Sequence, residues 1–371
     1  MLAFTLTSSI CAEKAVKAEE KISVTAKTKG KSFVKNFIKF HLYLNLDLYK
    51  LIQVYYIKKN AIVNTKSIYI FALTGGTMEL RTDLALEARE LAGDNVQGVE
   101  YSITKKDEIE IEKMVIKTER AGQLLKKPVG TYITIELPPL TDNFEDTDKR
   151  LLAIGEEIRS LLPVNGLVLV AGLGNIDITP DALGPKTASS VLATRHISGE
   201  IAKSTGLDKL RPVAVLKTGV TGQTGIETGE HLLSVVKRIR PSAVIVIDAL
   251  ASRRLERLGC TLQISNTGIS PGAGVQNHRT KINEESMGVP VIALGVPTVV
   301  DAVTLATDLL DLDFESDCLN VKNKVSPKGR AMVVTPKEID LLVDRAAKLI
   351  SLAINFALQR DFDLADLVAL L

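Results

Sequence analysis

The sequence predicts an α/β fold, a mostly parallel central sheet flanked by helices, and two observations carry that prediction. Short unbroken apolar runs, Leu167–Ala171, Ala243–Ile247 and Val289–Gly295, read as buried strands, and Val213–Leu216 as another apolar strand. Stretches with helical spacing separate these runs, and strands alternating with helices are the pattern of a parallel sheet.

Taken in order, the first helix is expected just after Arg81, where Thr82 is a suitable N-cap for Leu84-Ala-Leu-Glu-Ala-Arg-Glu-Leu91. Tyr132–Leu137 reads as a strand closed by Pro138-Pro139. Asp148–Leu162 reads as a helix with Leu151, Ile154, Ile158 and Leu161 on one face. After the strand Leu167–Ala171 comes a turn rich in glycine (Gly172, Gly174, Asn175), then a helix over Thr187–His196. Thr218–Thr228 is a glycine-rich loop and Gly229–Ile239 a helix. Leu262–Ile264 reads as a short edge strand, and Val299–Leu310 as a helix. Thr335-Pro-Lys-Glu338 has the form of a capping box with proline in the first turn. It opens a helix with Ile339, Leu342, Ala346, Leu349, Ile350 and Ala353 on one side, which offers a surface for subunit contact.

Two carboxylates follow buried strands. Asp181 lies just past the glycine turn, in Thr179-Pro-Asp-Ala-Leu-Gly-Pro185, and Asp248 comes directly after Ala243–Ile247. In open α/β sheets the carboxyl ends of strands face the ligand crevice. If the two strands are neighbours, the acids can share one proton and divide the work of amide hydrolysis, one activating water and the other protonating the departing group. The spacing equally allows Asp181 to stabilise a helix N-terminus and Asp248 to be a turn residue.

Other candidates are weaker. Gly172-Leu-Gly174 begins a dinucleotide fingerprint, but Asp177 stands where its third glycine is needed. Gly219, Gly222, Gly225 and Gly229 form either an anion cradle or a plain flexible loop. His278, in the long loop Thr267–Arg279, is either a substrate or metal ligand or a solvated side chain. His196 and His231 fall in helical patterns, and Cys260 has no histidine beside it in the sequence.

Composition narrows the field. The chain has 371 residues, 24% of them charged, and a net charge of +2, which gives no bulk attraction for nucleic acid. Three dispersed cysteines suit a reducing compartment. No CxxC or HExxH occurs, so neither a metal nor another cofactor is expected. No stretch gives the ~18 apolar residues of a membrane span.

Residues 1–77 differ from the rest. They contain no arginine and hold ten of the sixteen aromatic residues, in a background of Lys, Ile and Asn. Codons for these residues are AT-rich, as upstream untranslated DNA would supply. The expectation is that 1–77 is not native protein and that the chain starts at Met78. A genuine basic extension is the alternative, and the mass of the native N-terminus separates the two.

Five ordered motifs resemble the germination protease family: Arg81-Thr-Asp-Leu-Ala-Leu-Glu-Ala88, the run Gly172-Leu-Gly-Asn175 with Thr179–Pro185, Ile247-Asp-Ala-Leu-Ala-Ser-Arg253, Thr267–Arg279, and Gly295-Val-Pro-Thr-Val-Val-Asp-Ala302. The resemblance runs from Met78 to Leu358. It implies an atypical aspartic endopeptidase, with a fold similar to hydrogenase maturation endopeptidases, whose catalytic acids match Asp181 and Asp248. It implies a zymogen that cuts itself after an acid in a Thr-acid-apolar-Ala-x-Glu sequence, which Thr82–Glu87 fits, so that Asp83–Leu84 is the processed bond. On this reading 78–83 is a short propeptide and 84–371 a single protease domain. Small acid-soluble spore proteins are the implied substrates, a homotetramer the implied assembly, and the cytoplasm of the forespore and spore core the implied location, without direct contact to nucleic acid or membrane. Asn175 and His278 are carried as substrate-binding candidates. The polar segment from Asp313 to Gly329 departs from the family pattern. Two rivals stay open: a metal-dependent peptidase using Asp181, Asp248 and His278, and a module that binds spore proteins without cutting them.

Overall fold

The computed structural model describes residues 82–93, 95–106, 109–140, 149–197, 200–270, 280–309, 325 and 332–370. The extension 1–77, the propeptide before Thr82, His278 and nearly all of 313–329 lie outside the described residues.

The sheet order is β1 (Val99–Lys106), β2 (Ile109–Ile116), β3 (Gly130–Glu136), β7 (Thr261–Ser265), β8 (Val291–Asp301), β6 (Ala243–Ser252), β4 (Val168–Gly172) and β5 (Val213–Lys217), with β9 (Val333–Val334) on β8. Strands β8, β6, β4 and β5 are mutually parallel. The other half, β1-β2-β3-β7, is antiparallel and joins β8 antiparallel. The fold class is α/β as expected, but "mostly parallel" holds only for the half carrying the apolar runs. Strand β1 and the first half of β2, Ile109–Glu112, alternate apolar and polar residues, as strands of a meander do, so neither reads as a long unbroken apolar run.

Helices cover both faces of the parallel half. On one face α3 (Lys149–Leu161), α4 (Leu183–Ser189) and α10 (Ile339–Leu358) pack Ile154, Ile158, Leu183, Val343 and Ile350 against Val168, Val170, Ile245, Ile247 and Ile292. On the other, Leu232 and Val236 of α7 (Thr228–Ile239) cover Leu169, Ala171, Val244 and Val246. Each such side chain, fully buried, stabilises the fold by about 1.5–3 kcal/mol. A third cluster joins α1 (Ala85–Ala92) and α2 (Glu119–Leu125) to the antiparallel wing through Ala85, Met114, Ile116, Leu125 and Tyr132.

Several boundaries move for physical reasons. Helix α1 begins at Ala85, so its cap position is Leu84; Thr82 Oγ1 instead accepts from Leu84 N at 3.0 Å. Helix α4 replaces the expected Thr187–His196 and stops at Ser189, leaving His196 exposed on a turn. Strand β7 is not an edge, because β3 and β8 flank it. Strand β8 continues to Asp301, and the helix after it, α9, spans Ala302–Leu309. Thr335 Oγ1 donates to Thr298 O at 3.0 Å rather than capping α10, which starts at Ile339. The apolar face of α10 lies in the chain's own core, so it is not a surface for subunit contact.

Candidate functional site

The site is built where β4 stops beside β6. Gly172 is in register with Ile247, and Leu173 N donates to Ile247 O at 2.8 Å. Gly174, at φ 110°, then turns the chain sharply, a conformation that favours glycine. A Cβ there would meet Asp181 O at 2.1 Å, so the glycine lets the turn Thr179–Asp181 fold back onto the strand end. Thr298 Oγ1, from β8, donates to Pro180 O at 2.8 Å and ties the turn to the sheet. Asn175 N donates to Asp181 Oδ2 at 2.7 Å, a charge-assisted bond that fixes the carboxylate.

Asp248 is not at the end of its strand: β6 runs four residues further, to Ser252. It pairs in register with Gly295 of β8, where a Cβ would stand 2.8 Å from Asp248 O. Ala249 N donates to Asp248 Oδ1 at 2.9 Å. Alternate residues of a strand aim their main-chain groups at one edge. Ile247 O and Ala249 N therefore share the edge that β4 vacates after Gly172. Gly184, three residues past Asp181, closes the corner: its Cβ would stand 2.2 Å from Leu173 O and 2.4 Å from Ile247 O. Asp181 and Asp248, both half-buried, thus come from neighbouring strands to one end of the parallel sheet.

The Asn175 side chain is engaged locally. Its Oδ1 accepts from Gln223 Nε2 at 2.7 Å and from Asp177 N at 3.0 Å, while Gln223 Nε2 also reaches Asp177 Oδ2 at 2.8 Å. Gln223 belongs to the short helix Thr221–Thr224 inside the glycine-rich loop. Nothing in its local sequence marks it as part of the site. Ile176, Ile178 and Ile226 are exposed along this rim. Among the described residues no three or more His, Cys, Asp or Glu side chains gather as a metal site, and His278 lies outside them.

Asp83 and Leu84 sit further along the same edge of β6. Asp83 N donates to Ala251 O at 2.8 Å, and Ala251 N donates to Asp83 Oδ2 at 2.8 Å. Two side chains donate to the Asp83 carbonyl oxygen: Lys127 Nζ at 2.9 Å and Gln263 Nε2 at 3.2 Å. Gln263 Oε1 accepts from Ala85 N at 2.6 Å, and Lys127 Nζ also reaches Thr82 O at 3.2 Å. Leu84 is fully buried. Glu87, also fully buried, accepts from Arg253 N at 2.7 Å and Arg254 N at 3.0 Å and from the Thr82 hydroxyl, with the Arg257 guanidinium at 3.6 Å. Burial holds the Lys127 ammonium below the usual lysine range, while Asp83 and Glu87 pull it back up. Lys127, Gln263 and Arg257 lie far from Asp83 in sequence, so no motif could have joined them.

An α/β protein with two carboxylates, as a candidate site, at the carboxyl ends of parallel strands is the class that fold and geometry define. The family model described as germination protease matches residues 77–316. Curated germination proteases are 46% identical over 306 residues (Caldanaerobacter subterraneus; 76% of this chain, 94% of the relative), 42% over 318 (Clostridium perfringens; 78% and 98%) and 33% over 354 (Priestia megaterium; 76% and 95%). Among solved structures, a NiFe hydrogenase maturation protease from Thermococcus kodakarensis matches with TM-score 0.30 and 16% identity, covering 53% of this chain and 98% of its own. The chain belongs to the germination protease family, and it is accordingly a protease of spore germination. Among the described residues no helix is long and apolar enough to cross a membrane.

Proposed function

We propose that this protease is an aspartic-type endopeptidase that processes itself at Asp83–Leu84 and then cuts small acid-soluble spore proteins, with Asp181 and Asp248 as its acid–base pair. In that reaction one carboxylate takes a proton from water as the water oxygen bonds to the peptide carbonyl carbon. The other, as a carboxylic acid, gives its proton to the departing nitrogen as the C–N bond breaks. The observation that carries the reading is the corner at Gly184, which holds the turn ending in Asp181 against Ile247, the residue before Asp248. The exposed isoleucines beside Asp181 give a peptide side chain an apolar surface to cover. A homotetramer, a forespore and spore-core location, and 84–371 as the mature protease domain belong to the same proposal.

Asp181→Asn and Asp248→Asn test it. Each is expected to abolish both the appearance of a Leu84 terminus and the cutting of a small acid-soluble protein, with the fold retained by circular dichroism. Full activity in either variant removes that residue from the pair. Loss of activity on exhaustive chelation would favour the metal-dependent alternative, and binding without new termini would favour a holding module.

A further inference from the structure

Lys127 and Gln263 converge on one main-chain oxygen. That oxygen is the carbonyl of the Asp83–Leu84 bond, and the two side-chain donors fill both of its lone pairs. How they get there is legible in the chain. Helix α2 ends at Leu125 and is capped by Lys126, in a left-handed conformation with φ 53°, and Lys127 N returns to Gly122 O at 3.0 Å. A Cβ on Gly122 would stand 2.8 Å from Lys127 O, so only glycine allows this tight exit. The turn aims Lys127 at the segment Thr82–Asp83. Gln263 arrives independently from β7, in the interior of the sheet, and its amide is used at both ends, donating to Asp83 O and accepting from Ala85 N.

The rest of the segment is held just as closely. The acid before the bond is gripped through its side chain by Ala251 N, and the acid four residues after it, Glu87, by Arg253 N, Arg254 N and Arg257. Ala251 lies two residues beyond Ala249, whose N–H holds Asp248. At the spacing of an extended strand, the two anchor points are about 7 Å apart on one edge of β6.

We propose that Lys127 and Gln263 are the carbonyl-binding pair for the Asp83–Leu84 peptide, so that the chain presents this bond for cleavage rather than merely tying down its N-terminal segment. This rests on the self-processing reading above and adds the residues that carry out presentation. When the water oxygen bonds to the Asp83 carbonyl carbon, the carbonyl electron pair moves onto the oxygen, where the ammonium and the amide stabilise it. One carboxylate of the Asp181–Asp248 pair takes the water's proton; on collapse the C–N bond breaks and Leu84 nitrogen takes a proton from the other, as a carboxylic acid, leaving a carboxylate at Asp83 and a free amino terminus at Leu84.

The test uses the full-length chain and follows the Leu84 terminus by mass spectrometry, with thermal melting of every variant alongside. Lys127→Met and Gln263→Ala are each expected to slow processing by about 10²-fold, the cost of removing one donor from a developing oxyanion. Lys127→Arg, which restores a cationic donor, is expected to recover most of the rate; a purely structural lysine would show no such dependence at unchanged melting temperature. If Lys127→Met does not fold, Gln263→Ala decides. Processing at or above the wild-type rate in folded Lys127→Met and Gln263→Ala overturns the inference alone, because loosening a simple latch frees the bond rather than protecting it. A wild-type chain that never acquires a Leu84 terminus overturns the inference together with the self-processing reading.

Discussion

Gly184→Ala tests how finely the corner between the two acids is set. Gly184 lies near the start of α4, where a Cβ would stand 2.2 Å from Leu173 O, 2.4 Å from Ile247 O and 2.6 Å from Leu173 N. All three are main-chain atoms, of Leu173 just past the end of β4 and of Ile247 inside β6, so no flexible side chain can swing aside. The helix must back away by about 1 Å to reach an ordinary contact. Overpacking of this kind costs about 1–3 kcal/mol, or a fall of about 2–4 °C in Tm per kcal/mol for a domain of this size. The same retreat draws the Asp181 turn away from Ile247, and a displacement of about 1 Å between working groups costs about 10²-fold in rate. The assay is kcat and KM on a peptide carrying the Thr82–Glu87 sequence, with Tm measured in parallel. We expect kcat to fall about 10²-fold with KM little changed. Gly222→Ala is the control, since a Cβ there meets nothing within 4 Å. A Gly184→Ala protein with lowered Tm and wild-type kcat would refute the reasoning, because helix–strand spacing would then have no bearing on the acids.

Asn175 serves Asp181 through its main chain, so Asn175→Pro, which removes the N–H, should cost about 10–100-fold in kcat, the worth of a hydrogen bond to a charged group. Asn175→Ala loses only the bonds to Gln223 and Asp177 and should cost a few-fold; equal damage from the two would place the side chain itself on substrate. Glu112 on β2 is buried and accepts from the Tyr101 hydroxyl, and burial raises its pKa above 4.5 despite that bond. Because the folded value is the higher one, its contribution is complete below 4.5 and is lost as pH rises through the folded pKa. Glu112→Gln keeps an acceptor for Tyr101 and cannot ionise, so its melting temperature should match wild type near pH ~4 and exceed it increasingly toward pH ~8. A gap independent of pH would show that Glu112 ionises in the fold as it does in the unfolded chain.

The parallel half of the sheet was legible in the sequence because a strand buried on both faces has to be apolar at every position, as Leu169–Ala171 and Ala243–Ile247 are. Glycines 172 and 174 marked the sharp turn, Asp181 followed it, and Asp248 followed a second buried run; the close packing at Gly184 came from the structure. Of the antiparallel wing, β3 and β7 were legible as strands but β1 and β2 were not, since β1 and the start of β2 alternate apolar and polar residues and look like any exposed hairpin. The end of α4 at Ser189 and the failure of Thr335 to cap α10 were tertiary decisions. In each case a hydrogen bond or packing contact from a distant strand outweighed a local preference of about 1 kcal/mol.

What the sequence by itself determined is the identity and order of the strands that carry Asp181 and Asp248, because hydrophobic periodicity and glycine placement are local properties of the chain. Only the tertiary structure decided that β4 stops five residues short of the end of β6, in the register Gly172↔Ile247. That vacated edge then receives Asp83, under donors from Lys127 and Gln263. Strand register and the meeting of side chains 44 and 180 residues apart depend on how whole elements pack, which no window of neighbouring residues encodes.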